Sequence, residues 1–486
     1  MHSVQFGQAR RSSAPMIDKC AMVPISVCAY AAIVGPLIDF MSHSNNTVPG
    51  LVISEWHTRI LWPAMVACSV ALAALHRSRL SRLTWPPHII CLFAYLVLAG
   101  ASVLWAFRPE LSAIRFAQQV MILTCIVLPA MLAARTADIM RALFLCFAFG
   151  LVLNIFLDSS LPGSRGLEGY FMDKNALGQF TAIVFLQAIQ EMLYPGLRRA
   201  LGIIVVLIAA SLLYLSNSRT SFAFACVVPF LAGLLLIIRK TMRISPAIVL
   251  LSIAFCYEIL SWVGINVANR LSLSLFGDMT FSGRTFIWDF ADLEIGRRPL
   301  LGWGYGSFWL VGPDGPSFTD AEGLSRLWIK VMPNAHNGYV DTILETGYAG
   351  YVLLMIFIFT TFHAVGRVAD RDPTRALLLL SLALFVALNN LLESAWLRGS
   401  DLLWVMFVIV AAEIGRCWQP LPPTSTAHRL KPKKWAKVTR LVKVRRTPPD
   451  HFSSGISESG PTDFLTKFRQ LTRTCTTTAT TTVNVI

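Results

Sequence analysis

Charged residues are scarce in this 486-residue chain: Asp, Glu, Lys and Arg make up 14% of it, against about 25% in soluble domains. That shortage argues against a water-soluble enzyme of this length. Acidic side chains are the scarcer sign, 27 against 42 basic ones, which leaves a formal charge of +15. Histidine is sparse as well, at nine residues, with no HxxxH or HExxH pairing. A metal enzyme is therefore not expected, and no cofactor is implied. No nucleic-acid fold motif accompanies the positive charge, so a nucleic-acid partner is not expected either.

What is abundant is hydrocarbon. Hydrophobic residues make up 55% of the chain and the mean hydropathy is +0.59. A helix that crosses a bilayer needs about 20 mostly apolar residues, because no water is there to satisfy an open backbone. Twelve stretches qualify, at roughly 21–40, 59–75, 87–107, 112–134, 139–158, 175–193, 199–216, 220–238, 246–266, 338–362, 374–392 and 402–416. The predicted fold class is an all-α polytopic membrane protein of about 12 transmembrane helices, with a large outer loop between the ninth and tenth. Segments follow as 1–20 amino terminus, 21–266 helices one to nine, 267–337 loop, 338–416 helices ten to twelve, and 417–486 tail.

Cation placement gives the orientation. Alternate short loops carry Arg77, Arg79 and Arg82; Arg135 and Arg141; Arg198 and Arg199; Arg239, Lys240 and Arg243; and Arg367, Arg371 and Arg375. With the termini, about 29 of the 42 cations fall on that side and about 13 on the other. This is the positive-inside pattern, and it predicts both termini in the cytoplasm. The first apolar stretch ends in Ile38-Asp39-Phe40-Met41 without a small-residue cleavage site, so it reads as a retained span. All ten cysteines fall in spans or on the cytoplasmic side, which leaves no disulfide framework outside.

Two segments break the rhythm of spans and turns. The outer loop, about Val267 to Asn337, is rich in aromatics, among them Phe276, Phe281, Phe286, Trp288, Phe290, Trp303, Phe308, Trp309 and Trp328. That composition does not suit a solvated linker. Within it, Arg284–Ile295 predicts a helix lying at the outer membrane surface. The tail is polybasic from Arg429 to Arg446 and Thr-rich at its end, a disordered segment whose cations would meet anionic lipid headgroups.

Ionisable residues at span ends are functional candidates. On the outer side stand Arg219 in Ser218-Arg219-Thr220, Arg284 in Gly283-Arg284-Thr285, Lys174 and Asn175 at the start of the sixth span, and His336 just before the tenth. Glu393 and Arg398 close the eleventh. A guanidinium matches two phosphate oxygens at once, and an imidazole accepts a proton near neutral pH. Arginines with one histidine suit a group leaving as a diphosphate while the histidine deprotonates an attacking hydroxyl. The bland alternatives are a snorkelling anchor for Arg219 and a satisfied loop histidine for His336. The Gly302-Trp303-Gly304-Tyr305-Gly306 run follows no strand and is not read as a nucleotide loop.

At these residues the chain resembles the bacterial O-antigen ligase and O-antigen/exopolysaccharide polymerase superfamily. The resemblance rests on Ser218-Arg219-Thr220; Gly283-Arg284 with Trp288; Pro299-Leu300-Leu301-Gly302-Trp303-Gly304 with Phe308; and Ala335-His336-Asn337-Gly338-Tyr339 followed by Glu345-Thr346-Gly347. It covers roughly Gly169–Glu393. It implies a metal-independent, inverting glycosyltransferase of the bacterial inner membrane, facing the periplasm and acting on undecaprenyl-diphosphate-linked glycan. The implied partners are that lipid-linked donor, a glycan or lipid A-core acceptor, inner-membrane lipids and other polysaccharide-export proteins. By the same resemblance His336 is the base, and Arg219, Arg284 and Lys174 hold the diphosphate. Asn175, Asn337, Trp288 and Tyr339 are implied substrate contacts. Glu393-Ser394 echoes a late Glu-Ser pattern only loosely, and no role is assigned to Glu393. Polymerisation of repeat units is the first expectation, with ligation to lipid A-core second. A transporter or flippase is third, since its ionisable groups would sit at mid-membrane in repeated halves.

Overall fold

The computed structural model describes residues 56–75, 77–81, 83–133, 138–158, 160, 166–263, 273, 284–320, 329–330, 332–399 and 401–418. The first apolar stretch, the amino-terminal segment, most of the basic tail, and Phe276, Phe281 and Trp328 lie outside them. The described secondary structure is helical throughout. The helices are α1 (Trp56–Leu75), α2 (Pro87–Ala101), α3 (Pro109–Leu132), α4 (Ile139–Phe156), α5 (Lys174–Met192) and α6 (Leu197–Leu215). They continue as α7 (Arg219–Met242), α8 (Pro246–Trp262), α9 (Thr285–Arg297), α10 (Gly338–Ala369), α11 (Pro373–Asn389) and α12 (Leu402–Gly415).

The helix starts follow from their first residues. Proline presets a helical φ and lacks only an N–H that would be orphaned anyway, and it opens α2, α3, α8 and α11. Elsewhere an acidic or amide side chain accepts the orphan N–H groups. Asp138 does so for α4, Asp173 for α5, Asn337 for α10, Asp372 for α11 and Asp401 for α12.

Among the described residues, six helical segments are long and apolar enough to cross a membrane: Pro87–Trp105, Pro109–Leu132, Ile139–Phe156, Leu197–Leu215, Arg219–Met242 and Gly338–Ala369. Parts of α1, α8 and α11 are shorter apolar helices. The flanks of α6, α7 and α8 expose Leu207, Phe230 and Trp262, side chains that lipid rather than water would solvate. α5 carries Gln187, Gln190 and Glu191, but all three are buried against protein. α12 is buried along its whole length and packs against α3, α10 and α11. A polar helix can sit at membrane depth when other helices, not lipid, surround it.

The described part of the segment between α8 and α10 builds a small core. Ile287, Phe290, Ala291 and Ile295 of α9 pack with Trp303, Phe308 and Trp309. The predicted loop helix is therefore present, but its apolar face turns onto aromatic side chains of the protein, leaving Leu293 exposed. The loop then docks on a break in α10 at Gly347 (φ 67°, ψ −173°). Across the break Tyr348 N donates to Pro299 O at 2.8 Å, Trp303 N to Leu344 O at 2.8 Å and Gly304 N to Glu345 O at 2.9 Å. A Cβ at Gly347 would sit 2.2 Å from the Leu300 carbonyl, and one at Gly302 (φ 67°) 2.6 Å from the Glu345 backbone. Only glycine fits that left-handed, close approach. Two of the sequence signatures, Pro299–Gly304 and Glu345-Thr346-Gly347, thus meet as backbone partners.

Candidate functional site

Several of the residues singled out in the sequence come together around Glu393, which was named there without a role. Glu393, just beyond α11, accepts on Oε1 from Arg284 Nη2 at 2.7 Å and from Asn175 Nδ2 at 3.3 Å. Its Oε2 lies 3.1 Å from His336 Nδ1. Arg284 and Glu393 are 17% and 18% exposed and His336 28%, so the triad is reachable but poorly hydrated. Asn175 in turn accepts from Ser218 Oγ at 3.4 Å, which ties in the turn that carries Arg219. Glu393 is a single carboxylate linking an arginine, a histidine and two further helix starts.

Helix geometry adds to the positive field. Asn175 sits in the first turn of α5, Ser218 and Arg219 begin α7, Arg284 precedes α9, and His336 precedes α10. Gly338 N, the first of α10, donates to Glu393 O at 3.0 Å. Each helix start carries roughly half a positive charge from unpaired N–H groups. Lys174 and Arg219 stand at two of these starts, and neither has a hydrogen bond or ion pair among the described residues. Arg219 is exposed and Lys174 half-buried. Arg284, His336 and Asn175 thus meet on one bridging carboxylate among several helix N-termini, with Lys174 and Arg219 at two of those helix starts, an arrangement whose chemistry suits an anion.

The histidine is held from below. His336 adopts φ 49°, a left-handed conformation uncommon for a residue with a side chain. Its N–H donates to Asn334 Oδ1 at 2.9 Å. The preceding Ala335 is fixed on both sides: its N–H donates to Asp341 Oδ1 at 3.1 Å, and its carbonyl accepts Trp288 Nε1 at 2.9 Å. Asp341 also accepts from Trp309 Nε1 and Arg398 Nη2, each at 2.7 Å, and Arg398 Nη1 donates to Pro333 O at 3.1 Å. Burial alone would lower the pKa of Arg398, but Asp341 and Glu345 raise it above the ordinary guanidinium value.

Among the implied substrate contacts, the described polar atoms are largely engaged by the protein. Trp288 supports the His336 loop through its indole N–H. Asn337 Oδ1 caps α10 by accepting from Tyr339 N at 3.0 Å and Val340 N at 3.3 Å. Tyr339 donates to Ala387 O at 2.9 Å and packs on Trp396. Asn175 bridges Glu393 and Ser218, so it lies within the cluster itself. Sequence reasoning named Glu393 without assigning it a role, and missed Asp341 and the bracing role of Arg398. The available signal was charge balance: a lone carboxylate after an apolar helix, at the level of several cations, needs a partner.

Two comparisons with known proteins bear on the chain. Residues 204–355 match the O-antigen ligase family. That span holds Arg219, Arg284 and His336 but leaves Lys174, Asn175 and Glu393 outside. Over 311 residues the chain is 28% identical to the exopolysaccharide production protein ExoQ of Rhizobium meliloti (strain 1021), covering 58% of this chain and 67% of that one. With the apolar helices, these matches support a multi-pass membrane protein whose residues 204–355 are similar to the O-antigen ligase family.

Proposed function

We propose that the chain is a glycosyltransferase that extends a polysaccharide from a lipid-diphosphate-linked donor on the periplasmic face of the bacterial inner membrane. The observation that carries this reading is the bridge from Arg284 through Glu393 to His336. If the Nδ1–H of His336 is given to Glu393, Nε2 is left as the proton acceptor, as a carboxylate fixes a catalytic imidazole elsewhere. The acceptor hydroxyl oxygen attacks the anomeric carbon and its proton passes to Nε2. The bond from that carbon to the diphosphate oxygen breaks, and the diphosphate leaves with the electron pair. Attack from the face opposite the leaving group inverts the carbon.

Arg219, Lys174 and the free donors of Arg284 receive the negative charge, with the helix starts of α5 and α7 behind them. This charge stabilisation needs no metal in the scheme. The likeness to an exopolysaccharide production protein favours polymerisation of repeat units over ligation to lipid A-core. In both versions the donor-side chemistry is the same.

The test is an assay of the purified full chain with a defined undecaprenyl-diphosphate glycan, run with and without EDTA. Chain growth and transfer to lipid A-core are scored separately. His336→Ala should lower turnover by at least about a hundredfold while leaving thermal unfolding unchanged. If His336→Ala, Arg219→Ala and Arg284→Ala all keep full activity, the mechanism is wrong. If only lipid A-core accepts the glycan, the ligase version replaces the polymerase.

A further inference from the structure

A second cationic site lies at the opposite end of the helices. α7 begins at Arg219 in the His336 site and ends at Met242, while α10 runs from Gly338 to Ala369. Between those far ends, the start of α8 and Trp418 is a cavity of about 900 Å³. That is toward the upper end of the roughly 300–1,000 Å³ typical of small-molecule sites. Its walls carry Arg239, Lys240, Arg243 and Arg367 against one carboxylate, Asp370.

The charges there do not cancel. Arg239 Nη1 and Nη2 each donate to one Asp370 oxygen at 2.8 Å, which uses that carboxylate fully. Arg367 stacks over the Trp418 ring at 4.0 Å and has no acidic partner among the described residues. Lys240 and Arg243 are exposed and likewise unpaired there. The packing also makes room for the cluster. A Cβ on Gly366 would lie 2.7 Å from Arg239 Nε, so the glycine lets that guanidinium lie against α10. His363 Nδ1 is within 3.0 Å of Ser245 Oγ, adding two groups able to bond an oxyanion's neighbours.

We propose that this cavity binds the phosphate of an anionic phospholipid headgroup. The shared chemistry is a phosphate oxyanion received by Lys240, Arg243 and Arg367, since guanidinium forks match phosphate oxygens. What favours a lipid over a free phosphate is the surroundings. Leu236 and Ile237 line the same cavity, and Ile237 is 61% exposed on the flank of α7 beside Met242. The cations therefore stand where an apolar, lipid-solvated flank gives way to a polar rim, and basic pockets between membrane helices bind anionic headgroups at that level.

The experiment is native mass spectrometry of the full chain released from neutral detergent micelles and titrated with phosphatidylglycerol. One lipid is expected to remain bound. The combined Lys240→Gln, Arg243→Gln and Arg367→Gln variant should weaken binding by about a hundredfold, and the Lys240→Gln, Arg243→Gln pair, which keeps the Arg367–Trp418 stack, by about thirtyfold. Removing three cations outside the cavity (Arg77, Arg141 and Arg199, each to Gln) should change little. Equal retention of phosphatidylcholine, or equal loss in the outside variant, would overturn the proposal. So would displacement by millimolar inorganic phosphate, which would reassign the site to a soluble anion.

Discussion

Two charge networks differ in balance: one around His336, and one at the opposite end of the helices that is separate from the cationic cavity there. Away from His336, Arg375 donates to Asp138 at 2.7 Å and to Glu413 at 2.6 Å. Arg198 pairs with Glu191 at 2.7 Å and lies 3.6 Å from Asp138, and Arg416 pairs with Glu413. Three guanidiniums there meet three carboxylates, all engaged, and they join the ends of α4, α5, α6, α11 and α12. Around His336, one carboxylate faces Arg284 and the imidazole while Lys174 and Arg219 find no acidic partner among the described residues. Buried charge survives only when paired, so a balanced set reads as architecture. An unbalanced, partly exposed set keeps capacity for a ligand.

Breaking the balanced end should have the largest effect, on stability. Arg375→Ala leaves Asp138 leaning on the longer contact to Arg198 and Glu413 on Arg416 alone. Removing one partner of a buried pair costs about 3–5 kcal/mol. Thermal unfolding of the detergent-solubilised chain should drop accordingly, while the protein that remains folded keeps its specific activity. A normal unfolding midpoint with lost activity would reverse the assignment of the two ends.

Loosening the unbalanced end should act on rate instead. Glu393→Gln keeps the shape but weakens the carboxylate's hold on Arg284 and His336. Turnover should fall by about tenfold to a hundredfold, or about 1.4–2.7 kcal/mol of barrier, with little change in unfolding. The kinetic split distinguishes positioning from mere support: the loss should fall on kcat with KM little changed, because the substrate still binds while His336 is less well aligned. The same loss with a lowered unfolding midpoint would mean that Glu393 only props the loop.

Much of this was legible in the sequence because the bilayer imposes a coarse rule. Apolar length marks helices, and Pro87, Pro109, Pro246 and Pro373 mark where several start. Arg219, Arg284 and His336 were legible because polar groups at span ends demand a reason. Glu393 was named by the same rule, but its role was not legible, since that depends on Arg284, 109 positions earlier, and His336, 57 positions earlier. No local pattern encodes such a pairing. The break at Gly347 was equally hidden, because hydropathy runs on through it and only the docking of Leu300 explains the turn.

The smallest effect concerns pH and sets the outer loop against the balanced end. Glu294 of α9 is nearly enclosed; Arg297 Nη1 lies 2.9 Å from its Oε1, and Oε2 has no partner among the described residues. Burial pushes its carboxyl up from 4.5 to about 7, more than the Arg297 charge pulls it down. A raised acid favours its protonated form in the fold, so the stability it lends is complete below about pH 4.5 and is lost as pH rises through about 7. At Asp138 burial also pushes the carboxyl up, yet the Arg375 bond and charge hold it below its ordinary value. Its contribution is present at neutral pH and fades on acidification. Glu294→Gln should therefore raise the unfolding temperature by a few degrees at pH 8, about 1 kcal/mol or less, and do nothing at pH 5. Asp138→Asn should do the reverse, costing stability at pH 8 and progressively less toward acid. If both variants lost stability equally at pH 8, the loop carboxylate would be as well paired as the network at the other end, and charge balance would no longer separate the two.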